Sequence, residues 1–415
     1  MGWKCAADAR GKLLAGTEWD GGVVTASAAA AAAGASLPAG ACVVVDANAM
    51  LRSATFDRLS AYDIAKSMLN KVAKSNPASV QIFFDSNDPS AFPPQRAQVH
   101  AERYPDAKQL NMSAINAIAT KFGAVAGTDL PATSADLLPL RTYRGWPWQT
   151  CWGCPVLKTF VWRIFVAALR HAAIEKKANG GLKSISIQIY GPDGNVITLG
   201  DEAGSLIECP RRFGEADLQT FDAARVHANA GKAVIIYSID TDFLLMTMAA
   251  APFIPTEPFI IHLKTSITDG AKLIATVGGA DVVTRLNTVF WLLGLGCDYA
   301  DPLTKQGFYT RDIVDICKGL GAGLVPAIGV VAGIVTLDLA STTKILGTLK
   351  RRADPTGVPG KRQRIRAPQN TALGDLLFCL RYYGFMFPEH GDPYPPASNT
   401  YLTSRPSMWQ FPAPQ

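Results

Sequence analysis

Residues 234–245 read VIIYSIDTDFLL. Three β-branched residues and a tyrosine run into Asp240 and Asp242, and the chain turns apolar again at Phe243. A strand buried on both faces shows no polar alternation, so this run predicts an interior strand of a parallel sheet. Its acids then fall at the carboxyl edge of that sheet, where open α/β sheets bind ligands. In an extended chain residues i and i+2 point to one side, so Asp240 and Asp242 are expected to share a site.

Two more stretches repeat the pattern. ACVVVDANAML (41–51) reads as a buried strand that ends on Asp46 and runs into a turn, and SVQIFFD (79–85) ends on Asp85. Between and after them lie helical spacings. LSAYDIAKSMLNKVAK (59–74) is one, and 157–172 places Leu157, Phe160, Val161, Ile164, Phe165, Ala168, Leu169 and Ala172 on one face. SISIQIYGPDGNVITL (184–199) alternates around a DG turn and predicts a hairpin. GEADLQTFDAARVHANAGK (214–232) predicts a helix closing near Gly231. VVTRLNTVFWLLGLG (282–296) predicts an amphipathic helix with Val283, Leu286, Val289, Phe290 and Leu293 inward. Short strands separated by helices imply an α/β fold: a mostly parallel central sheet with helices on both faces. Residues 1–41 are Gly/Ala-rich and receive no assignment.

At 48% hydrophobic residues over 415 positions, the chain has ample material for a large core. The eight cysteines are mostly scattered, as reduced thiols are. Cys151 and Cys154 form a lone CxxC with no second pair, so a zinc site is not expected. The Ala-rich run at 25–35 lacks a basic lead, and no secretory signal is expected. The most apolar helix-like segment, 157–178, is interrupted by Arg163 and Arg170, which excludes a membrane span. The net charge of +6 is concentrated in KRRADPTGVPGKRQRIR (350–366), a tract rich in Lys, Arg, Pro and Gly. Lys350, Arg351, Arg352, Lys361, Arg362, Arg364 and Arg366 there suit a nucleic-acid contact or a nuclear-import signal; a solvated linker is the plainer reading.

Glu215 and Asp217 open the 214–232 helix, and Asp298 follows the 282–296 helix in LLGLGCDY. An aspartate after a strand is often only the cap of the next helix. Several such carboxylates in one low-dielectric cleft would repel one another and need protons or cations to coexist. Oxygen-only ligation favours Mg²⁺ or Mn²⁺, and two such ions suit in-line hydrolysis of a phosphodiester.

The order VVVDANAM, FFDSNDPS, GEADLQ, SIDTDFLL, LLGLGCDY resembles the flap-endonuclease (XPG-like) superfamily of structure-specific 5′ nucleases. The resemblance covers about 41–100 and 205–300. It implies a PIN-like core with a helical arch or cap. It implies a metal site of Asp46, Asp85, Glu215, Asp217, Asp240, Asp242 and Asp298, holding two Mg²⁺ for which Mn²⁺ substitutes. Asp217 stands where many relatives have Glu. The implied activity is metal-dependent cleavage near a 5′ end or a single-strand/double-strand junction, with DNA favoured and a nuclear setting, or a host nucleus or cytoplasm for a viral chain.

Departures from the family keep other readings open. Phe92 falls near a position that is basic in relatives, leaving Arg96 and Arg103 as the nearest phosphate contacts. The long interval from Asp85 to Glu215 suggests an enlarged cap. Within it RTYRGWPWQTCWGC (141–154) offers Arg141, Arg144 and three tryptophans, either for stacking on bases or as an apolar plug. TKQGFYTRDIVDICKGLGAG lacks a clean copy of the family's duplex-binding helix–turn–helix. That supports an RNase of the same superfamily, an exoribonuclease or a host-shutoff-type mRNA endonuclease. A noncatalytic nucleic-acid-binding scaffold is the third reading. Residues 370–388 look like a returning helix, the tail after Pro388 is Pro-rich, and no sliding-clamp box is seen. The elements divide the chain into a nuclease half at 1–135, the cap and long helix at 136–180, a second half at 181–345, a basic linker at 346–372 and a C-terminal helix and tail at 373–415.

Overall fold

The computed structural model describes residues 7–20, 37–52, 59–86, 155–180, 185–192, 194–200, 207, 209, 214–251, 253–264, 266–297, 328–331, 334–338, 340–342, 376 and 380. The chain divides into two compact units. One, the sheet unit, comprises Asp20–Ile239 and Glu257–Lys264; the second comprises Met1–Trp19, Asp240–Thr256 and Thr265–Gln415.

In chain order the elements are α1 (Ala7–Leu14), β1 (Cys42–Asp46), α2 (Ala47–Arg52), α3 (Ala61–Ala73), β2 (Ser79–Phe83), α4 (Pro155–Ala178), β3 (Ser186–Tyr190) and β4 (Val196–Leu199). There follow α5 (Ala216–Asn229), β5 (Val234–Tyr237), α6 (Asp242–Ala249), β6 (Phe259–His262), β7 (Ile267–Asp269), α7 (Gly270–Thr276), α8 (Val282–Leu293), β8 (Ile328–Val331) and β9 (Ile334–Leu337).

In the sheet unit the strand order is β4-β3-β2-β1-β5-β6. β1 pairs in parallel with β2 and β5, β2 with β3, and β5 with β6; only the β3–β4 hairpin is antiparallel. The mostly parallel α/β sheet expected from the sequence is thus present. Its inner strands are buried at every position, which is why they carry no alternation. The register aligns Val44 with Gln81 and Ile236, and Val45 with Ile82 and Tyr237. Adjacent rows point to opposite faces. The Gln81 row meets α5, since His227 of that helix bonds Gln81. The Tyr237 row meets the α3 side, where Ser75 bonds the Tyr237 hydroxyl. α3 packs against α4, with Tyr62 donating to Glu175 across the pair. Gly231 closes α5 at φ 69°, a left-handed turn that its lack of a side chain makes inexpensive.

The second unit holds α1, α6, α7, α8, β7 and the β8–β9 hairpin. Segment 17–19 runs beside β7 through Trp19 N–H to Ile267 O at 3.1 Å and Asp269 N–H to Thr17 O at 2.8 Å. Asn287 of α8 grips the hairpin by accepting from Ile328 N–H and donating to Ile328 O. Among the described residues no helix is long and apolar enough to cross a membrane.

Two sequence expectations need correction. The chain after Asp46 is the helix α2 and not a turn, because the Asp46 carboxylate caps it: Ala49 N–H donates to Asp46 Oδ1 at 3.0 Å. In α8, Val283 is only half-buried while Arg285 is sealed from solvent. The segments 87–154 and 343–375, with their arginines, tryptophans and basic tract, lie outside the described residues.

Candidate active site at the carboxyl edge of the sheet

Asp46 is the last residue of β1 and pairs in register with Phe83, so Asp85 stands two positions beyond it on the neighbouring strand line. At a rise of about 3.3 Å per residue, this sets Asp85 about 7 Å further along the same side of the sheet. The Asp85 backbone is pinned on both sides. Phe84 N–H donates to Tyr190 O, and Ser86 N–H to Gly214 O at 2.7 Å.

Glu215 is the N-cap of α5, in extended geometry with φ −83° and ψ 135°, yet its side chain makes no cap bond. Asp85 instead bonds the first N–H of the helix from outside: Ala216 N–H donates to Asp85 Oδ1 at 2.9 Å. The acid from one strand end thus holds the first turn of the helix whose cap is another acid. The helix dipole favours carboxylates at that turn. Asp46, Asp85 and Glu215 are all buried, while Asp217 is half-buried and accepts from Leu218 N–H at 2.8 Å. Asp46 uses its second oxygen to accept from Ser238 Oγ at 3.2 Å. Ser238 follows β5 directly, and its N–H bonds His262 O. The sheet unit therefore places Asp46, Asp85 and the first turn of α5, with Glu215 and Asp217, at the carboxyl edge of its sheet.

In the second unit, Asp240 and Asp242 are not the two ends of an extended dipeptide. β5 ends at Tyr237, Thr241 has helical φ −77° and ψ −9°, and Asp242 opens α6. Asp242 N–H folds back onto Asp240 Oδ1 at 3.2 Å. The two acids are neighbours through a turn, and the extended-chain argument for their shared face is replaced by that bond. Both are buried. Asp298 lies outside the described residues, as do Arg96, Arg103, Arg141, Arg144, Lys350, Arg351, Arg352, Lys361, Arg362, Arg364 and Arg366.

Three groups of polar residues lie outside the acid set that the sequence singles out. Ser238 is one, a serine beside an acid run. Asn48 is the second, two residues after Asp46. The third is a buried chain directly beneath the acids. Gln81 donates to Gln188 Oε1 at 2.8 Å and to Ile207 O at 3.0 Å, Tyr190 donates to Gln188 Oε1 at 2.9 Å, and His227 Nε2 lies 2.8 Å from Gln81 Oε1. The signal was legible: a glutamine sits mid-strand in both SVQIF and SIQIY, where buried strands otherwise carry apolar side chains. Burial, and secondarily Lys232, hold His227 down at about 4, so it is neutral at physiological pH.

Among the described residues, no three His, Cys, Asp or Glu side chains are gathered closely enough to hold a metal ion. The donor chemistry suits a hard divalent cation, since every acid here offers only oxygen, and a buried amide beside Asp46 has unmet hydrogen-bonding capacity. No protein-family model matches the chain, and no curated protein matches it at a significant level.

Proposed function

We propose that the chain is a divalent-metal-dependent nuclease with a PIN-like 5′-nuclease core and a cap between β2 and α4, acting on nucleic acid near a 5′ end or a strand junction, with DNA favoured. The observation that carries this reading is the hydrogen bond that the Ala216 N–H donates to Asp85. It fixes a strand-end acid against the helix turn of Glu215, at the sheet edge that also carries Asp46.

The proposed ligands in the sheet unit are Asp46, Asp85, Glu215 and Asp217; the resemblance in sequence adds Asp240, Asp242 and Asp298 to the proposed set. When bound, Mg²⁺ or Mn²⁺ lowers the pKa of an attacking water and offsets charge on the leaving oxygen. The residues of this chain supply the rest. Ser238 and the Ala49 N–H fix both oxygens of Asp46. Asp85 fixes α5, and through it Glu215. The basic tract at 350–366 supplies counter-charge for a phosphate backbone and accords with a nuclear setting.

A noncatalytic nucleic-acid-binding scaffold is the second reading, favoured by the absence of a close metal-holding triplet among the described residues. The deciding experiment cleaves end-labelled 5′-flap DNA, duplex DNA, single-stranded DNA and single-stranded RNA with Mg²⁺, Mn²⁺ or EDTA. Metal-dependent cutting supports the nuclease, and the preferred lane decides DNA against RNA. Binding without cutting in every lane supports the scaffold. Deleting 350–366 should flatten the salt dependence of binding; an unchanged slope would separate that tract from the substrate.

A further inference from the structure

Asn48 is buried, and neither its amide nitrogen nor its amide oxygen has a hydrogen-bond partner among the described residues. Native interiors rarely leave a side-chain amide unmet at both ends. Leucine has nearly the same volume and would fill the space without that cost, so packing alone does not account for an amide here.

The surroundings suggest what would meet it. Asn48 lies in the first turn of α2, two residues beyond Asp46, whose carboxylate caps that helix. α2 packs against β2, which leads to Asp85, and against α5, which begins after Glu215. The helix that carries this buried amide therefore lies against the elements that lead to or from the other acids of the sheet unit. A neutral amide offers one hard oxygen acceptor and two N–H donors. That pair of functions matches the water shell of a small divalent cation, which dehydrates reluctantly and keeps several waters. A carboxylate would add a further charge to the acids already there; an amide does not.

We propose that the Asn48 side chain hydrogen-bonds the hydration shell of a divalent cation held at Asp46, and so positions that ion without supplying charge. The proposal rests on the metal-dependent reading above and assigns a role to a residue outside the acid set.

The test is Mn²⁺ titration by calorimetry on the full chain, wild type beside Asn48→Leu and Asn48→Asp, with thermal melts in EDTA and in Mn²⁺. Asn48→Leu should melt no lower than wild type in EDTA, since it removes an unmet polar group, while its Mn²⁺ affinity falls about 10-fold or more, as for other outer-shell partners. Asn48→Asp should melt lower in EDTA and recover more than wild type on adding Mn²⁺, which keeps the test decisive if the leucine variant does not fold. Wild-type Mn²⁺ affinity in Asn48→Leu, or an unchanged Mn²⁺-induced rise in Asn48→Asp, would overturn the Asn48 role alone, provided the wild type binds Mn²⁺ and cleaves. A wild type that neither binds Mn²⁺ nor cleaves with it would overturn this role together with the nuclease reading.

Discussion

Arg285 and Asn48 are both buried polar side chains on helices, and they differ in how far the fold answers them. Arg285 bonds five backbone carbonyls. Its Nε donates to Met248 O at 3.0 Å, Nη1 to Phe253 O at 2.9 Å and Gly279 O at 3.4 Å, and Nη2 to Ala250 O at 3.0 Å and Thr247 O at 3.2 Å. Three of these carbonyls belong to the last turn of α6 and its cap, the groups a helix leaves unpaired at its C-terminus. A cation suits that end of the helix dipole. Burial lowers Arg285 to about 10, which leaves it charged at neutral pH. The guanidinium is complete as architecture. Asn48, with neither amide end met among the described residues, is not. Where the fold closes every bond, a buried polar group reports on stability; the open bonds of Asn48 are the ones the proposed cation shell would meet.

The sharpest way to break that distinction is to alter an acid without disturbing its cap. Asp46→Asn keeps the Oδ1 that accepts from Ala49 N–H and removes the charge. On the nuclease reading, cleavage should fall on the order of 10³-fold, about 4 kcal/mol in the barrier, while the melting temperature stays close to wild type. Asp46→Ala is the poorer variant, since it also loses the cap. Unchanged turnover in Asp46→Asn would remove this acid from the site.

Arg285→Met attacks the other side of the comparison. It keeps the apolar stem and strands buried carbonyls of Thr247, Met248, Ala250 and Phe253. The expected cost is about 3 kcal/mol or more, measured by urea denaturation. A loss below about 1 kcal/mol would mean that water replaces the guanidinium, and that burial there is less complete than its five carbonyl bonds imply.

His227 tests the chain beneath the acids by pH. Its folded value of about 4 lies below the ordinary 6.5, because burial opposes the charged ring. The unfolded chain therefore binds more protons between these values, and stability should fall as pH drops from 6.5 toward 4. The shift corresponds to at most about 3 kcal/mol. His227→Gln should flatten this part of the pH profile relative to wild type, read from denaturation midpoints between pH 4.5 and 7.5. Parallel profiles would mean that the ring gains a proton in the fold without penalty.

The same contrast explains what the sequence could reveal. Strands buried on both faces announce themselves as apolar runs, so VVVD, VQIF and VIIY were legible, and an acid at the end of such a run lies at the carboxyl edge by topology alone. FIIH at 259–262 carries the same signal, directly behind Pro258. α6 had no signal of its own kind: all eight of its residues are buried, so no polar face marks a helical period. Long-range bonds were the least legible. Nothing in VVTRLNTVFWLL tells that its arginine turns inward to cap a helix 35 residues upstream. Nothing in GEAD tells that Asp85, and not Glu215, bonds the Ala216 N–H. Pattern yields positions along the chain; partners depend on how the elements meet.

The smallest expected effect is at a bond that closes locally. Ser60 caps α3 in a reciprocal box: Asp63 N–H donates to Ser60 Oγ at 3.1 Å, and Ser60 N–H donates to Asp63 Oδ2 at 3.1 Å. Both partners lie within four residues, so the box forms as soon as the helix does and depends on no distant element. Ser60→Ala should cost about 1 kcal/mol, as N-cap losses do, and should leave cleavage and Mn²⁺ affinity unchanged. Its value lies in that separation. If this local loss also weakened Mn²⁺ binding, stability and site would be coupled through the whole sheet unit, and the contrast between closed and open polar groups would lose its diagnostic force. If it did not, a loss of cleavage in Asp46→Asn or of Mn²⁺ affinity in Asn48→Leu could be attributed to the site itself.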